Sequence, residues 1–347
     1  MKNNSKINST SLRLFLLFIF LLLSFCVQVS KVFGTEETHK QIQKTETDKA
    51  STKSAKVKIG AYILSLYDFN PDEGKFSADF WLWFNWRGED VTPMSSFEIV
   101  NATNVKYSLE NVEDMNGIKW GYKKVSGNFI HNWDVSNFPF DRHKLTIVVE
   151  EALKETEDLI YIADTKNTAI DKNLEIDGWQ VENVSIEAKE ILYDSTFGNP
   201  SEESGSAYSR ASITISIARN AVALFAKLHA GVYTAIAITL LAFLMPASSD
   251  DIFSGRTGIM VGMLFATVIN QQSVSSIVGE TIALSLSDKI HIASYSLIFI
   301  GIGLTLLSRR LCDNDMQQKA LLLDKISMFL CLLTYVAINF YFVHSVK

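Results

Sequence analysis

Two hydrophobic patterns divide this chain near residue 220. From Val57 onward, apolar and polar residues alternate in short segments, the period-2 signature of half-buried strands. The runs KVKIGAYILSLYDF and KFSADFWLWFNWRGED are rich in aromatic and branched residues. Between them lies Asn70-Pro71-Asp72-Glu73-Gly74, a turn by composition, so the pair predicts a hairpin. Further strands are predicted at 104–109, 117–124, 126–133, 142–150, 158–162, 178–193 and 208–219. The polar tip from Asp194 to Ser206 reads as a long exposed hairpin loop, a place where a rigid scaffold presents ligand contacts. No helical period of useful length precedes residue 220, and the spacing of strands and turn residues predicts a β-sandwich over 56–219.

After residue 220 the pattern is one of missing charge. Residues 228–249, 257–279, 290–308 and 326–346 contain no Asp, Glu, Lys or Arg. Each is near the length at which a helix crosses a bilayer. They predict an all-α domain over 220–347 with four transmembrane spans at about 224–246, 257–278, 290–308 and 326–344. Arg309, Arg310, Lys319 and Lys325 lie between the third and fourth spans, which predicts that this loop is cytoplasmic. The sandwich and the C-terminus then lie outside, in the periplasm or extracellular space, with the chain in the cell (inner) membrane.

The N-terminus agrees with that orientation. Lys2, Lys6 and Arg13 precede an apolar run from Leu14 to Val29, and Val32-Phe33-Gly34 has small-residue spacing for cleavage, so residues 1–34 read as a signal peptide. Residues 35–55 are polar, lack aromatics and read as a flexible linker. The net charge of −6 offers no basic surface for nucleic acid. Of the three cysteines, Cys26 leaves with the signal while Cys312 and Cys331 fall in the spans, so the exported domain has no disulfide. No Cys/His cluster has metal-ligand spacing, no calcium loop is present, and neither a nucleophile–base constellation nor a phosphate loop appears. The sequence therefore predicts no enzyme, no cofactor and no metal. His229 and His291 lie near span ends and read as interfacial.

The second span differs from the others. Its first half, TGIMVGMLFATVI, is apolar with glycines, and its second half carries Asn270, Gln271, Gln272, Ser273, Ser275 and Ser276. Amides facing lipid are costly, so these face protein or water. At helical spacing Gly258, Gly262, Phe265, Ile269, Gln272 and Ser276 form one stripe. The stripe either lines a pore that narrows at Phe265 and Ile269, where apolar rings gate by dewetting, or packs on the other spans with glycines for close approach.

At 138–141 the chain reads Phe-Pro-Phe-Asp, after an aromatic strand and before an alternating one. With the sandwich and the four spans, this resembles the pentameric ligand-gated ion channels, the Cys-loop receptor superfamily, and in particular its bacterial branch. The resemblance runs from about Lys56 to the C-terminus. Cysteines flank the motif in members with the loop disulfide; here the matching positions are His131 and Leu145. Trp81 and Trp86 look like the paired tryptophans of the family's second strand, one facing the pocket between subunits and one in the core, and their odd offset agrees with opposite faces. The first span lacks the family's mid-helix proline, having only Pro246, and Gly279 to Ser287 also lacks one.

The resemblance implies a homopentameric, ligand-gated channel subunit. A small-molecule or ion ligand would bind at subunit interfaces beneath the 194–206 hairpin, against Trp81, Tyr193, Phe197, Tyr208 and Trp120, with Tyr122 beside them. Coupling to the gate would run through Phe138, Pro139, Asp141, Arg219 and Asp72 or Glu73, and monovalent ions would cross passively through the lipid bilayer. Arg256 would favour anions if it faced the lumen. In the family the basic residue here often points away, and Asp250 and Asp251 are close enough to offset it, so the sign of the permeant ion stays open. The competing reading is a membrane-anchored receptor or binding protein of the same fold that conducts nothing.

Overall fold

The structure, a computed structural model, describes residues 54–199, 205–279 and 283–346. The predicted signal peptide, and the predicted linker up to Lys53, lie outside the described residues. The described chain forms two compact units. One comprises residues 54–134 and 142–220; the other comprises residues 135–141 together with the chain from 221 onward.

The first unit is a β-sandwich. Its strands are β1 (Ala55–Asn70), β2 (Lys75–Trp86), β3 (Phe97–Ile99), β4 (Ala102–Met115), β5 (Ile118–Ile130), β6 (Arg142–Glu155), β7 (Leu159–Ala163), β8 (Ala169–Ile170), β9 (Trp179–Tyr193) and β10 (Ser206–Arg219). One sheet runs β4-β5-β2-β1-β7, with β8 also on β1; the other runs β3-β6-β10-β9. The pairings are antiparallel except those of β7 and β8 with β1. Alternation decides which side chains enter the core. Along β10, Ala211, Ile213, Ile215 and Ile217 are fully buried, and along β2 so are Phe76, Phe80, Leu82 and Phe84. Each of these isoleucine, leucine and phenylalanine side chains contributes about 1.5–3 kcal/mol on leaving water. Phe84 of one sheet meets Phe97 of the other at 5.2 Å between ring centroids.

Two features depart from the alternation pattern. The segments predicted as separate strands at 117–124 and 126–133 are one strand, β5. The gap expected at Val125 is not a break, and Gly127 beyond it is a packing glycine: a Cβ there would come 2.8 Å from the Asn104 carbonyl oxygen on β4. A one-turn helix, α1 (Pro93–Ser96), stands in the stretch without helical period.

The second unit is an all-α bundle of α2 (Ala221–Ala242), α3 (Asp250–Val278), α4 (Leu286–Asp313) and α5 (Gln317–His344). All four are long and apolar enough to cross a membrane, and the chain is a multi-pass membrane protein. The helix ends follow local chemistry rather than charge. Helix α2 stops at Ala242, because residues 243–245 make tight turn bonds ahead of Pro246, which disfavours helical geometry just before it. Helix α3 starts seven residues before its charge-free run: Ser249 Oγ accepts from Ile252 N at 3.4 Å, and Asp250 and Asp251 suit the positive end of the helix dipole. Ser285 and Asp288 form a reciprocal capping box on α4. The core holds Ile236, Leu240, Phe243, Met260, Ile298 and Tyr335.

Candidate functional site

The five residues predicted at the ligand site fall into two groups. The first group stands on the outer face of the six-stranded sheet. On β2 the odd positions point outward, so Trp81 and Trp83 share that face, while Trp86 is 5% exposed and belongs to the core. The rings of Trp81 and Tyr122 lie 5.9 Å apart, and those of Trp120 and Tyr122 lie 4.7 Å apart. Beside them is a cavity of about 600 Å³ lined by Trp83, Asn85, Met115, Ile118, Trp120, Asp164 and Asn167. Trp83 lies across β1 at Gly60, where any Cβ would collide with the indole. Its Nε1 donates to the buried Asp164 carboxylate at 3.3 Å. Asp164 also accepts from Asn167 and pairs with Lys58 at 2.9 Å. Burial alone would raise its pKa, but the bonds from Asn167, Lys58 and Trp83 outweigh that and hold the carboxyl below its usual value.

The second group stands on the outer face of the four-stranded sheet, at the β9–β10 hairpin. Tyr193, Phe197 and Tyr208 form a triangle with ring centroids 5.2, 6.1 and 6.0 Å apart. Beneath it, Tyr193 Oη donates to Glu150 Oε1 at 2.7 Å, and Arg210 Nε donates to Glu150 Oε2 at 2.6 Å. Arg210 Nη2 also donates to Tyr193 Oη at 2.6 Å. The triangle therefore rests on a neutralised, fully bonded pair, and the tyrosine pKa is raised by burial and by Glu150. Phe197 is 65% exposed and has φ 50°, with Gly198 next to it at φ 81°. A phenylalanine in left-handed geometry carries a cost of about 1–2 kcal/mol, which here holds an apolar ring out in solvent.

Trp83, Asp164, Glu150 and Arg210 were missed by sequence reasoning. Trp83 shares the parity of Trp81 and was within reach of it. The other three are brought together only by strand register, such as Arg210 opposite Glu150.

In the helical unit, all six stripe residues lie on one open face of α3. Gly258, Gly262, Gln272 and Ser276 are exposed, and Phe265 and Ile269 are each 64% exposed. A Cβ on Gly258 or Gly262 would meet nothing within 4 Å, so these glycines do not serve close approach to the other helices of this chain. The opposite face, with Arg256, Met260, Thr267, Val274 and Val278, is buried. The polar half of α3 divides the same way. Asn270 and Gln271 turn inward, to His291 Nε2 at 2.9 Å and to Tyr295, while Gln272, Ser273 and Ser276 stay exposed.

Arg256 has no exposed surface. Its Nη2 pairs with Asp324 of α5 at 2.8 Å, Nη1 donates to Met245 O at 3.0 Å, and the guanidinium lies 4.7 Å from the Phe243 ring. Ser308 of α4 donates to the other Asp324 oxygen at 2.9 Å. The argument for anions from Arg256 therefore falls. His229 and His291 are not interfacial as expected; neither has exposed surface, and their rings lie 5.8 Å apart inside the bundle.

The predicted coupling residues are divided between the units. Asp72 is in the β1–β2 turn, and Arg219, at the end of β10, lies over the Trp179 ring at 4.0 Å. Phe138, Pro139 and Asp141 belong to the segment 135–141, which joins β5 to β6 in the chain yet groups with the helices. There Phe140 meets Phe225 of α2 at 5.4 Å, and Ser287 of α4 donates to Phe138 O at 3.4 Å. Phe138 is fully buried and Asp141 is 1% exposed. No protein-family model matches the chain, and no curated protein matches it at a significant level.

Proposed function

We propose that the chain is one subunit of a ligand-gated ion channel, five copies arranged around an axis lined by α3, as the resemblance to the pentameric channels implies. The observation that carries this reading is the open face of α3. A helix that shows two glycines, a phenylalanine, an isoleucine, a glutamine and a serine on one stripe, against a packed opposite face, is asking for water and for copies of itself. Apolar rings at Phe265 and Ile269 would close the lumen by dewetting, and the Gln272–Ser276 end would stay wet.

The ligand site in this reading is shared between copies. The aromatic face at Trp81, Trp83 and Trp120 and the triangle at Tyr193, Phe197 and Tyr208 are on outer faces of different sheets. A ligand touching both would be held by one copy's hairpin laid over its neighbour's sheet. Aromatic walls suit cationic amines and flat apolar ligands. The segment 135–141, anchored to α2 and α4, would carry the resulting shift to α3. The sandwich and the C-terminus would lie outside the cell membrane. Conduction is passive, so the reading assigns no catalytic step and no cofactor.

The test is electrical. The purified protein in planar bilayers should show unitary currents, and Phe265→Ser should raise the basal open fraction at least about tenfold, equivalent to about 1.4 kcal/mol of lost closed-state stability. A silent bilayer with both proteins, across ligands, pH and voltage, would instead favour the non-conducting receptor, in which Phe265→Ser lowers only stability.

A further inference from the structure

We infer that His229, His291 and Asn270 form a binding site for a borderline divalent metal ion of the Zn2+ kind inside the helical unit. The three residues stand on α2, α4 and α3, so no local spacing in the sequence joins them. Neither imidazole has exposed surface, and the two rings lie 5.8 Å apart at 40°. Two imidazoles that share one zinc ion, each through a nitrogen at about 2.0–2.1 Å, place their centroids roughly 5–6 Å apart. The pair stands at that spacing. Among the described residues no three His, Cys, Asp or Glu gather at one point, so the third protein donor is the amide.

Both rings are held as metal ligands are held. His229 Nδ1 lies 2.9 Å from Phe225 O, and His291 Nδ1 lies 2.7 Å from Ser287 O, each one turn back on its own helix. A carbonyl oxygen only accepts, so Nδ1 carries the proton in each ring, and in the neutral imidazole Nε2 bears the lone pair. A nitrogen that donates to a fixed acceptor orients the ring and leaves the other nitrogen basic. His229 Nε2 is buried and has no hydrogen-bond partner. An enclosed lone pair without a donor is costly, and an ion that takes up the pair removes that cost.

His291 Nε2 faces Asn270 Oδ1 at 2.9 Å. Two lone pairs do not bond each other. The contact is satisfied when the amide turns over to donate its N–H, or when one cation is shared by the nitrogen and the oxygen. The empty chain takes the first arrangement and the loaded chain the second. Asn270 is kept in place by Gly231 of α2, where a Cβ would come 3.0 Å from the amide. Two imidazole nitrogens and one amide oxygen leave a fourth position for water or chloride. Imidazole donors suit zinc, copper or nickel rather than calcium or magnesium, which call for oxygen cages. Asp288, three residues before His291 on α4, accepts from Gln271 at 3.3 Å and adds a negative charge to the neighbourhood. The site lies within one copy's helical unit. Only its effect on conduction, by tying the polar half of α3 to α2 and α4, rests on the channel reading.

The test uses the full chain in detergent micelles, purified without a histidine tag and stripped with a chelator. Zinc alone should bind at one ion per chain by calorimetry, and its X-ray absorption spectrum should show two imidazole nitrogens at about 2.0–2.1 Å. His229→Phe and His291→Phe should each weaken binding at least about 100-fold, since losing a ligand costs no less than losing its support. If those variants misfold, Asn270→Asp keeps both rings and, by adding a charged oxygen, should tighten binding about tenfold. His131→Phe breaks the chain's other close imidazole pair, at 5.6 Å from His143, and should leave binding unchanged. No binding by the unaltered chain, binding that survives in both folded histidine variants, or binding lost in His131→Phe overturns the site. So does Asn270→Asp without a gain. Zinc bound in this way by a preparation that passes no ions leaves the site standing and removes the channel reading.

Discussion

A guanidinium enclosed by apolar helices persists only while its counter-charge stays beside it. Arg256 and Asp324 are both almost wholly buried, and Arg256 Nε has no partner, so neither charge has water to fall back on. Arg256→Met should lower stability by about 3–5 kcal/mol by stranding the Asp324 carboxylate. Arg256→Met with Asp324→Leu should recover most of it, as read from unfolding midpoints in detergent. The titrating residues of the sandwich give a second expectation. His131 sits at about 4 when folded against its ordinary 6.5, so its stabilising contribution is complete above about 6.5 and is lost as pH falls through that window to 4. Asp164 is held low instead, so its contribution survives to more acid pH and goes only below the ordinary carboxylate range. The melting temperature of the sandwich should therefore start to fall below pH 6.5, and His131→Phe should remove the first part of that decline. Much at this scale was legible in advance: the odd offset in WLWFNW puts Trp81 and Trp86 on opposite faces, the resemblance implied that Trp86 is the core one, and Trp86 is buried. The burial of Arg256 was not, because its partner is 68 residues away on another helix and no local pattern ties the two.

Elements were read best where one rule governed them. Strand β10 alternates cleanly, and the structure buries its alternate residues. Strand β5 was divided at Val125, between 117–124 and 126–133, although the structure runs it unbroken through that residue, which is fully buried. Inside it, Gly127 could mark either a bend or a close approach, and only the neighbouring strand decides which. Here the Asn104 carbonyl decides. Gly127→Ala should cost about 1–3 kcal/mol through overpacking, measured by denaturant unfolding, whereas a glycine in a true turn with open space would tolerate the methyl. Helix ends were misplaced for a similar reason. Missing charge marks the lipid-compatible stretch, whereas the Ser249 cap and the first-turn aspartates mark where α3 begins, several residues earlier; α5 also begins well before its charge-free run, at Gln317, without such a cap. The stripe on α3 was legible as a stripe, since helical spacing alone groups its six residues. That it is open rather than packed needed the other three helices.

At the level of the whole chain, the division into a strand-rich half and a lipid-soluble half follows from where charge is present and absent, and the structure has that layout. What sequence order hides is that residues 135–141, embedded in the strand-rich half, group with the helices. The pentamer remains a proposal with a direct check: single-particle images of the solubilised protein should show five-fold rings with α3 innermost, and any other symmetry removes the proposed lumen.

The sandwich contains no cysteine, the chain holding none between Cys26 and Cys312, and the stems of β5 and β6 meet through imidazole and indole rings. A fold closed by rings reaches its native state without waiting for an oxidant. Dithiothreitol should leave both its refolding rate and its melting curve unchanged. With Cys312 and Cys331 replaced by serine, a single thiol introduced on the sandwich would take a probe with no competing site among residues 54–346.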